Sequence, residues 1–414
     1  MVEYIMQYRI DKKSGKELSV LGMGCMRFPA VLGVTGKKKA QALVETAIAD
    51  GINYFDTAWL YAGNEETLGE ALENLGARNR INIATKLPIL LVKKPEDFDR
   101  YFNETLKRLR TTFVDYYLLH MLTDVSTWER LQSLGIREWA AAKQKSGAIR
   151  QFGFSFHGNR DSFLALLAVY EWDFCQIQFN YSDENFQAGL TGLNAAAERG
   201  IPVVIMEPLL GGRLADSLPK EARGILSGAK MPEGVANTPA AWALRWVLNH
   251  RGVTVVLSGM TTIPQIRENA SVAGVSTVHS LTKEELDVYG KVRAVFSAQN
   301  KIACTGCGYC IPCPRGINIP GVFSAYNSSY LMGRLAGWQQ YMTSAVFTSK
   351  KHGGPSLCVA CGRCERHCPQ NLSIIQQLRL VRRRMEPFYF RLLIAGVRRF
   401  LGHTGGAKPK GTVS

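Results

Sequence analysis

Residues 174–206 read FCQIQFNYSDENFQAGLTGLNAAAERGIPVVIM. A short apolar run, FCQIQF, is followed by a stretch with helical spacing, ENFQAGLTGLNAAAERG, and then by a second apolar run, IPVVIM. Apolar runs of this length on either side of a helix read as two parallel strands joined by a crossover, since a parallel neighbour needs a long return connection. The number of times this unit repeats decides the fold.

Outward from it, the same alternation fills the chain before residue 296. Further candidate strands are LSVLGMGC (18–25), NYFD (53–56), INIAT (81–85), VDYYLLH (114–120), IRQFGFS (149–155) and VTVVLS (253–258). Helix-like stretches such as KKAQALVETAIADG and PAAWALRWVLNHRG lie between them. Eight strands alternating with helices predict an α/β fold, a (β/α)8 TIM barrel over residues 1–295. An open doubly wound sheet is the competing topology. It normally carries G-x-G-x-x-G after its first strand, and LGMGCMRF does not fit that pattern.

In a barrel of this kind the chemistry sits where the strands end. The residues past the predicted strands are Asp56, Tyr61 in the next loop, Lys86, His120, Ser155 with His157, Gln176 and Glu207. Four of these make sense together. Reducing a carbonyl needs a proton donor at its oxygen, and a free tyrosine, titrating at about 10, is a weak one at neutral pH. A neighbouring ammonium, Lys86, would lower that value, and Asp56 would hold the lysine in place and charged. His120 would orient the carbonyl. Each has a plainer reading alone: Asp56 a loop cap, Tyr61 core, Lys86 surface, His120 a satisfied buried histidine.

The last third of the chain is different. CTGCGYCIPCP (304–314) and CVACGRCERHCP (358–369) hold eight of the ten cysteines. The second run has the C-x2-C-x2-C-x3-C-P spacing of bacterial ferredoxins, in which three thiolates hold one [4Fe–4S] cube and the fourth reaches to the other. The first run is one residue shorter before its last cysteine. On this reading Cys304, Cys307, Cys310 and Cys368 hold one cluster, and Cys358, Cys361, Cys364 and Cys313 the second. A pair of zinc sites is the competing assignment, but zinc prefers two C-x2-C knuckles set well apart. Cys25 and Cys175 fall in apolar, strand-like stretches and read as small buried residues. The segment between the runs, residues 318–346, has helical spacing. Residues 296–384 are therefore expected to form a small, mainly helical ferredoxin-like domain.

Composition agrees with a globular protein of two domains: 414 residues, 46% hydrophobic and 20% charged. No apolar run reaches the roughly 18 residues of a membrane span. The start, MVEYIMQYRI, lacks the pattern of a signal peptide, so a cytoplasmic location is expected and N-x-S/T at Asn103, Asn327 and Asn371 carries no weight. There, paired thiols serve more often as metal ligands than as disulfides. Half of the net charge of +16 lies in the last 44 residues, with nine basic side chains against Glu386. Within residues 385–414, PFYFRLLIAGVRRFLG (387–402) predicts a basic amphipathic helix, with Arg384, Arg391 and Arg398 opposite Tyr389, Leu393 and Phe400. It suits an anionic membrane surface, peripheral at the inner face, a protein partner, or packing back on its own chain. The final dozen residues read as a disordered tail. Nucleic acid binding is not expected, since no reader fold accompanies the basic residues.

GINYFDTAWLYAGNEETLGEAL, IATKLP and DYYLLH resemble the catalytic stretches of the aldo-keto reductases, and the whole chain resembles the iron–sulfur branch of that family. The resemblance implies hydride transfer between NAD(P)H and a small carbonyl or alcohol substrate, with Asp56, Tyr61, Lys86 and His120 as the catalytic tetrad. It implies cofactor contacts from Ser155 and Gln176, from Met206 where an aromatic residue usually stacks, from a phosphate strap with Leu209, Gly211 and Arg213, and from Glu268 with Asn269. Phe156 replaces the usual asparagine, Glu207 the usual serine, and Gly259 and Gln265 the cations that read the 2′-phosphate of NADPH. A flavin in the same groove is therefore a second reading, and it would also split hydride into the single electrons that clusters accept. The expected protein is a cytoplasmic oxidoreductase with two [4Fe–4S] clusters. Two alternatives stay open: an electron-transfer subunit whose barrel docks a flavoprotein as its redox protein partner and is not a carbonyl reductase, or an ordinary reductase with structural or sensory clusters. Trp59 and Phe156 are expected to wall the carbonyl pocket.

Overall fold

The structure is a computed structural model in which residues 5–28, 34–182, 184–299, 301–331, 333–347 and 353–387 are described. The chain divides into two compact units, Met1–Phe296 and Ser297–Ser414.

The first unit opens with an antiparallel hairpin, β1 (Tyr8–Ile10) with β2 (Glu17–Ser19). Eight parallel strands then follow in chain order: β3 (Leu21–Gly24), β4 (Tyr54–Asp56), β5 (Asn82–Leu87), β6 (Val114–Leu122), β7 (Ile149–Phe156), β8 (Phe174–Gln178), β9 (Val203–Met206) and β10 (Val253–Ser258). Each pairs with the next, and β10 pairs with β3, so the sheet closes into a barrel. The expected barrel is present, with helices between its strands.

Its strands are buried on both faces, which is why they read as continuous apolar runs rather than alternating ones. All nine residues of β6 are buried. Inward-pointing Tyr54, Tyr116, Leu118, Phe174, Val204 and Leu257 fill the lumen, with the Tyr54–Tyr116 and Tyr116–Phe174 ring centroids 5.1 and 5.0 Å apart. Outward-pointing residues form the larger layer under the helices. The strands approach closely where side chains are small: a Cβ on Gly153 would lie 2.3 Å from the Phe174 carbonyl oxygen.

The stretch 18–25, expected as one strand, is split. Ser19 ends the hairpin, its hydroxyl donating to the Leu21 carbonyl at 2.7 Å, and the barrel strand begins at Leu21. Leu18 packs with the lumen residues, and the Tyr116 hydroxyl donates to Asp11 at 2.7 Å, so the hairpin closes one end of the barrel. Cys25 falls in a turn after β3 and not in a strand; it and Cys175 are both fully buried.

The second unit is mainly helical, with helices Ile319–Leu331, Arg334–Tyr341 and Ile374–Met385. Its core is Ile302, Ile319, Val322, Phe323, Tyr341, Leu378 and their neighbours, and six of the cysteines pack against it. Buried Asn327 ties the first cysteine segment to the helix behind it, donating to the Ile302 carbonyl at 2.7 Å and accepting its N–H at 2.9 Å. Among the described residues no helix is long and apolar enough to cross a membrane. The basic helix expected over 387–402 lies, from residue 388 on, outside the described residues.

Candidate active site and cysteine loops

The parallel register brings the C-terminal ends of the strands to one rim. Lys86, near the end of β5, is 1% exposed, and its ammonium donates to Asp56 Oδ1 at 2.6 Å and to the Thr57 carbonyl at 2.7 Å. A lysine this buried needs a carboxylate beside it, because an unpaired charge costs several kcal/mol to desolvate. Burial pushes the Asp56 carboxyl above its ordinary range, and the charge and hydrogen bond of Lys86, with a smaller share from Gln176, pull it back.

Tyr61 is carried over this pair by the loop after β4. Its N–H donates to the Ala58 carbonyl and its own carbonyl accepts from Asn64, both at 3.0 Å, and Gly63 at φ 74° starts the helix Asn64–Asn74. The Lys86 nitrogen stands 5.1 Å from the centre of the Tyr61 ring. The Tyr61 and His120 rings meet edge to face, 5.8 Å apart. Burial holds the His120 imidazole well below its usual range, with the Lys86 charge and His157 adding to the effect, so the ring is neutral. Asp56, Tyr61, Lys86 and His120 thus converge on one point of the rim.

Glu65 holds that loop in position. Fully buried, it accepts from the hydroxyls of Thr85 at 2.7 Å and Thr105 at 3.0 Å and from Arg108 at 3.3 Å. Arg108 also donates to the Trp59 carbonyl at 3.2 Å. The loop bearing Tyr61 is therefore pinned to the strand bearing Lys86. The two acids at the start of NEETLGEAL, Glu65 and Glu66, were the available signal, but a helical acid near an N-terminus is ordinarily read as a charge at the dipole.

The expected cofactor contacts separate into two groups. Gln176 is 2% exposed, and its Oε1 is buried without a protein partner. Met206 is half-buried at the end of β9, packed on the lumen residues. Beyond it the backbone passes through left-handed conformations at Glu207, Leu210, Gly211 and Gly212 (φ 56, 47, 67 and 89°), while Leu209 packs against the outer core. The Arg213 guanidinium lies 5.7 Å over the Phe296 ring. The other residues bond within the protein. Ser155, opposite Gln176 in register, accepts the Met121 N–H at 3.0 Å and so holds the turn after His120. Asn269 donates to the Ser258 hydroxyl at 3.0 Å, and Glu268 accepts from the Thr238 hydroxyl.

One aromatic expectation needs revision. Phe156 is fully buried and packs on Phe163 of the outer layer at 4.9 Å, so it lines no pocket at the rim. Trp59 is held edge to face on Tyr101 at 4.9 Å, its indole N–H donating to Glu104 at 3.1 Å.

Glu207 is unusual. Its Oε2 is buried without a protein partner, and burial raises the carboxyl to about 7 against a pull from Arg27 and the Gly211 N–H.

In the second unit, both cysteine loops turn through left-handed backbone, at Gly306 and Gly308 in the first and at Ala360 and Gly362 in the second. Cys304, Cys307, Cys310 and Cys368 line one pocket, backed by Ile319 and Phe323. Burial raises the Cys310 thiol to about 12, and Cys304, Cys307 and Cys368 add to it. Four thiolates there require a compensating positive centre. Among the described residues no three His, Cys, Asp or Glu side chains converge on a single-ion site. Four cysteines drawn from both runs and lining one pocket are a donor set that suits an inorganic cluster.

A sequence profile of the aldo/keto reductase family matches residues 20–287, and one of a 4Fe-4S dicluster domain matches residues 303–373. An uncharacterized oxidoreductase, YqkF of Bacillus subtilis (strain 168), is 28% identical over 308 residues, covering 66% of this chain and 92% of that protein. A probable aldo-keto reductase of Glycine max is 27% identical, covering 62% and 81%. Among solved structures, an aldo-keto reductase from Bacillus halodurans in its holo form is 25% identical with a TM-score of 0.57, covering 69% of this chain and 96% of that one. An aldo/keto reductase from Klebsiella pneumoniae in complex with NADP and acetate shares the fold at 23% identity and a TM-score of 0.55, covering 70% and 96%.

Proposed function

The chain is a member of the aldo/keto reductase family, an oxidoreductase fused to a 4Fe-4S dicluster domain, and we propose that its rim tetrad reduces a carbonyl while its cysteine loops carry electrons. The observation that supports this reading most directly is the Lys86 ammonium, bonded to Asp56 and standing against the Tyr61 ring. Tyr61 is the general acid that protonates the carbonyl oxygen. Lys86 favours the phenolate left behind, and Asp56 keeps Lys86 charged and aimed. His120, neutral at physiological pH, donates a hydrogen bond to the same oxygen and takes no part in the proton balance. The unpartnered Oε1 of Gln176 fits the amide of a nicotinamide ring, and the glycine backbone at Gly211–Gly212 fits a phosphate strap. NAD(P)H bound there supplies hydride to the carbonyl carbon.

Cys304, Cys307, Cys310 and Cys368 would hold one [4Fe–4S] cluster, and Cys358, Cys361, Cys364 and Cys313 the other. Such clusters store and pass one electron at a time. A flavin in the barrel groove is a second reading, favoured by Met206 and Gly259, which offer no aromatic face and no cation where a nicotinamide dinucleotide would use them.

The test is turnover of a panel of aldehydes and ketones by anaerobically purified protein, followed by the nicotinamide absorbance. Tyr61→Phe is expected to lower kcat by about 10²- to 10⁴-fold with iron content unchanged. Undiminished turnover in that variant would remove the tetrad from the reaction. Electron transfer to a flavoprotein without carbonyl turnover in either protein would favour the carrier-subunit alternative.

A further inference from the structure

Gly259 stands directly after β10, at the rim beside the strap. It has no side chain, yet its space is taken: a Cβ there would meet Arg27 Cδ at 3.3 Å, Cγ at 3.6 Å and Cβ at 3.7 Å. The aliphatic stem of Arg27 therefore lies across Gly259. Arg27 itself follows β3, which pairs with β10, and β10 pairs with β9. Its stem runs along the strand ends towards the strap, where Nη2 donates to the Gly211 carbonyl at 3.0 Å. That bond uses one of five guanidinium N–H donors. The residue is exposed, and among the described residues it forms no ion pair with any carboxylate. Glu207 is near enough to feel its charge but does not close a salt bridge with it. A fork-shaped cation without an ion pair among the described residues thus stands at the mouth of a left-handed glycine turn.

We propose that Arg27, seated in the space that Gly259 leaves open, is the cation that binds a phosphate of the nicotinamide dinucleotide. This rests on the nicotinamide reading of the groove given above. One glycine and one arginine then form a unit. The strap supplies backbone N–H groups, Arg27 supplies the charge and braces the strap through the Gly211 carbonyl, and a branched or larger side chain at residue 259 would compete with its stem for the same space. The pyrophosphate and the 2′-phosphate of NADPH present the same chemistry to a guanidinium.

The test is binding of NADH and of NADPH to the full chain with its clusters, by calorimetry at two salt concentrations. Arg27→Ala is expected to weaken binding roughly 10- to 100-fold, the range for a charge-assisted hydrogen bond, and to flatten the salt dependence of Kd. Equal loss for both nucleotides assigns the pyrophosphate; loss confined to NADPH assigns the 2′-phosphate. Gly259→Val keeps the charge but displaces it, and is expected to weaken binding in the same pattern, with circular dichroism checking that both variants fold. Wild-type affinity and salt dependence in Arg27→Ala would overturn the proposal while leaving the nicotinamide reading in place. If the wild-type protein binds neither nucleotide, that reading falls, and this one with it.

Discussion

Lys86 and Asp56 are the most costly residues of the site. Both are almost fully buried, and the Asp56 carboxyl stays raised by burial even with the ammonium bonded to it. Such a pair stabilises little, but removing one partner strands the other charge. Asp56→Asn is therefore expected to cost about 3–5 kcal/mol in urea unfolding, most of it recovered in the double variant with Lys86→Met, where no charge is left to strand. Two additive losses would mean that the residues are not coupled. Glu207 presents the opposite case, a carboxyl with no salt bridge among the described residues. Its carboxyl is raised from 4.5 to about 7, so between those values the folded chain holds a proton that the unfolded chain has released. Stability then falls as pH rises through this window, by up to about 3 kcal/mol. Glu207→Gln removes that slope: its melting temperature should match the wild type near the acid end and exceed it above pH of about 7. A parallel pH profile for the two proteins would show that Glu207 is solvated. Residue identity at the tetrad was legible because Asp, Lys and His fall towards strand ends and Tyr in the loop after one. Glu65, Arg108 and Arg27 were not legible, since their partners lie 20 to 184 positions away.

Elements carry the site by register. Strands β4, β5 and β6 end at one rim because each pairs in parallel with the next, and a shift by one residue would turn Lys86 from the lumen to the outer layer. The cysteine loops depend on crossing over: Cys368 comes from the second run, yet it lines the pocket of Cys304, Cys307 and Cys310. Cys368→Ser is accordingly expected to damage the cluster of the first loop and to lower bound iron by up to about half. Paramagnetic resonance of the reduced protein should retain the signal of the other cluster. If instead the signal of Cys358, Cys361 and Cys364 disappears, each run holds its own cluster. Strand periods and cysteine spacing were readable in the sequence. The hairpin β1–β2 was missed, because β1 is only three residues long and β2 leads almost directly into the first barrel strand.

At the scale of the whole molecule the question is whether a two-electron barrel and a pair of one-electron clusters work as one enzyme. With NADH or NADPH added to anaerobic protein whose flavin content is known, the broad visible absorption of the clusters is expected to bleach. Absorption that persists while nicotinamide binding is shown separately would mean clusters that are structural or that are fed by another protein. The order of strands and helices, the barrel, the dicluster run and the identity of the four rim residues were determined by the sequence alone, because period, spacing and side-chain chemistry are local properties of the chain. Only tertiary structure decided that Phe156 faces outward, that Ser155 and Asn269 bond within the protein, that Glu207 is a buried carboxyl without a salt bridge, and that Arg27 lies across Gly259. Each of these depends on which distant backbone fills the space beside a residue, and closing the barrel is what sets that space.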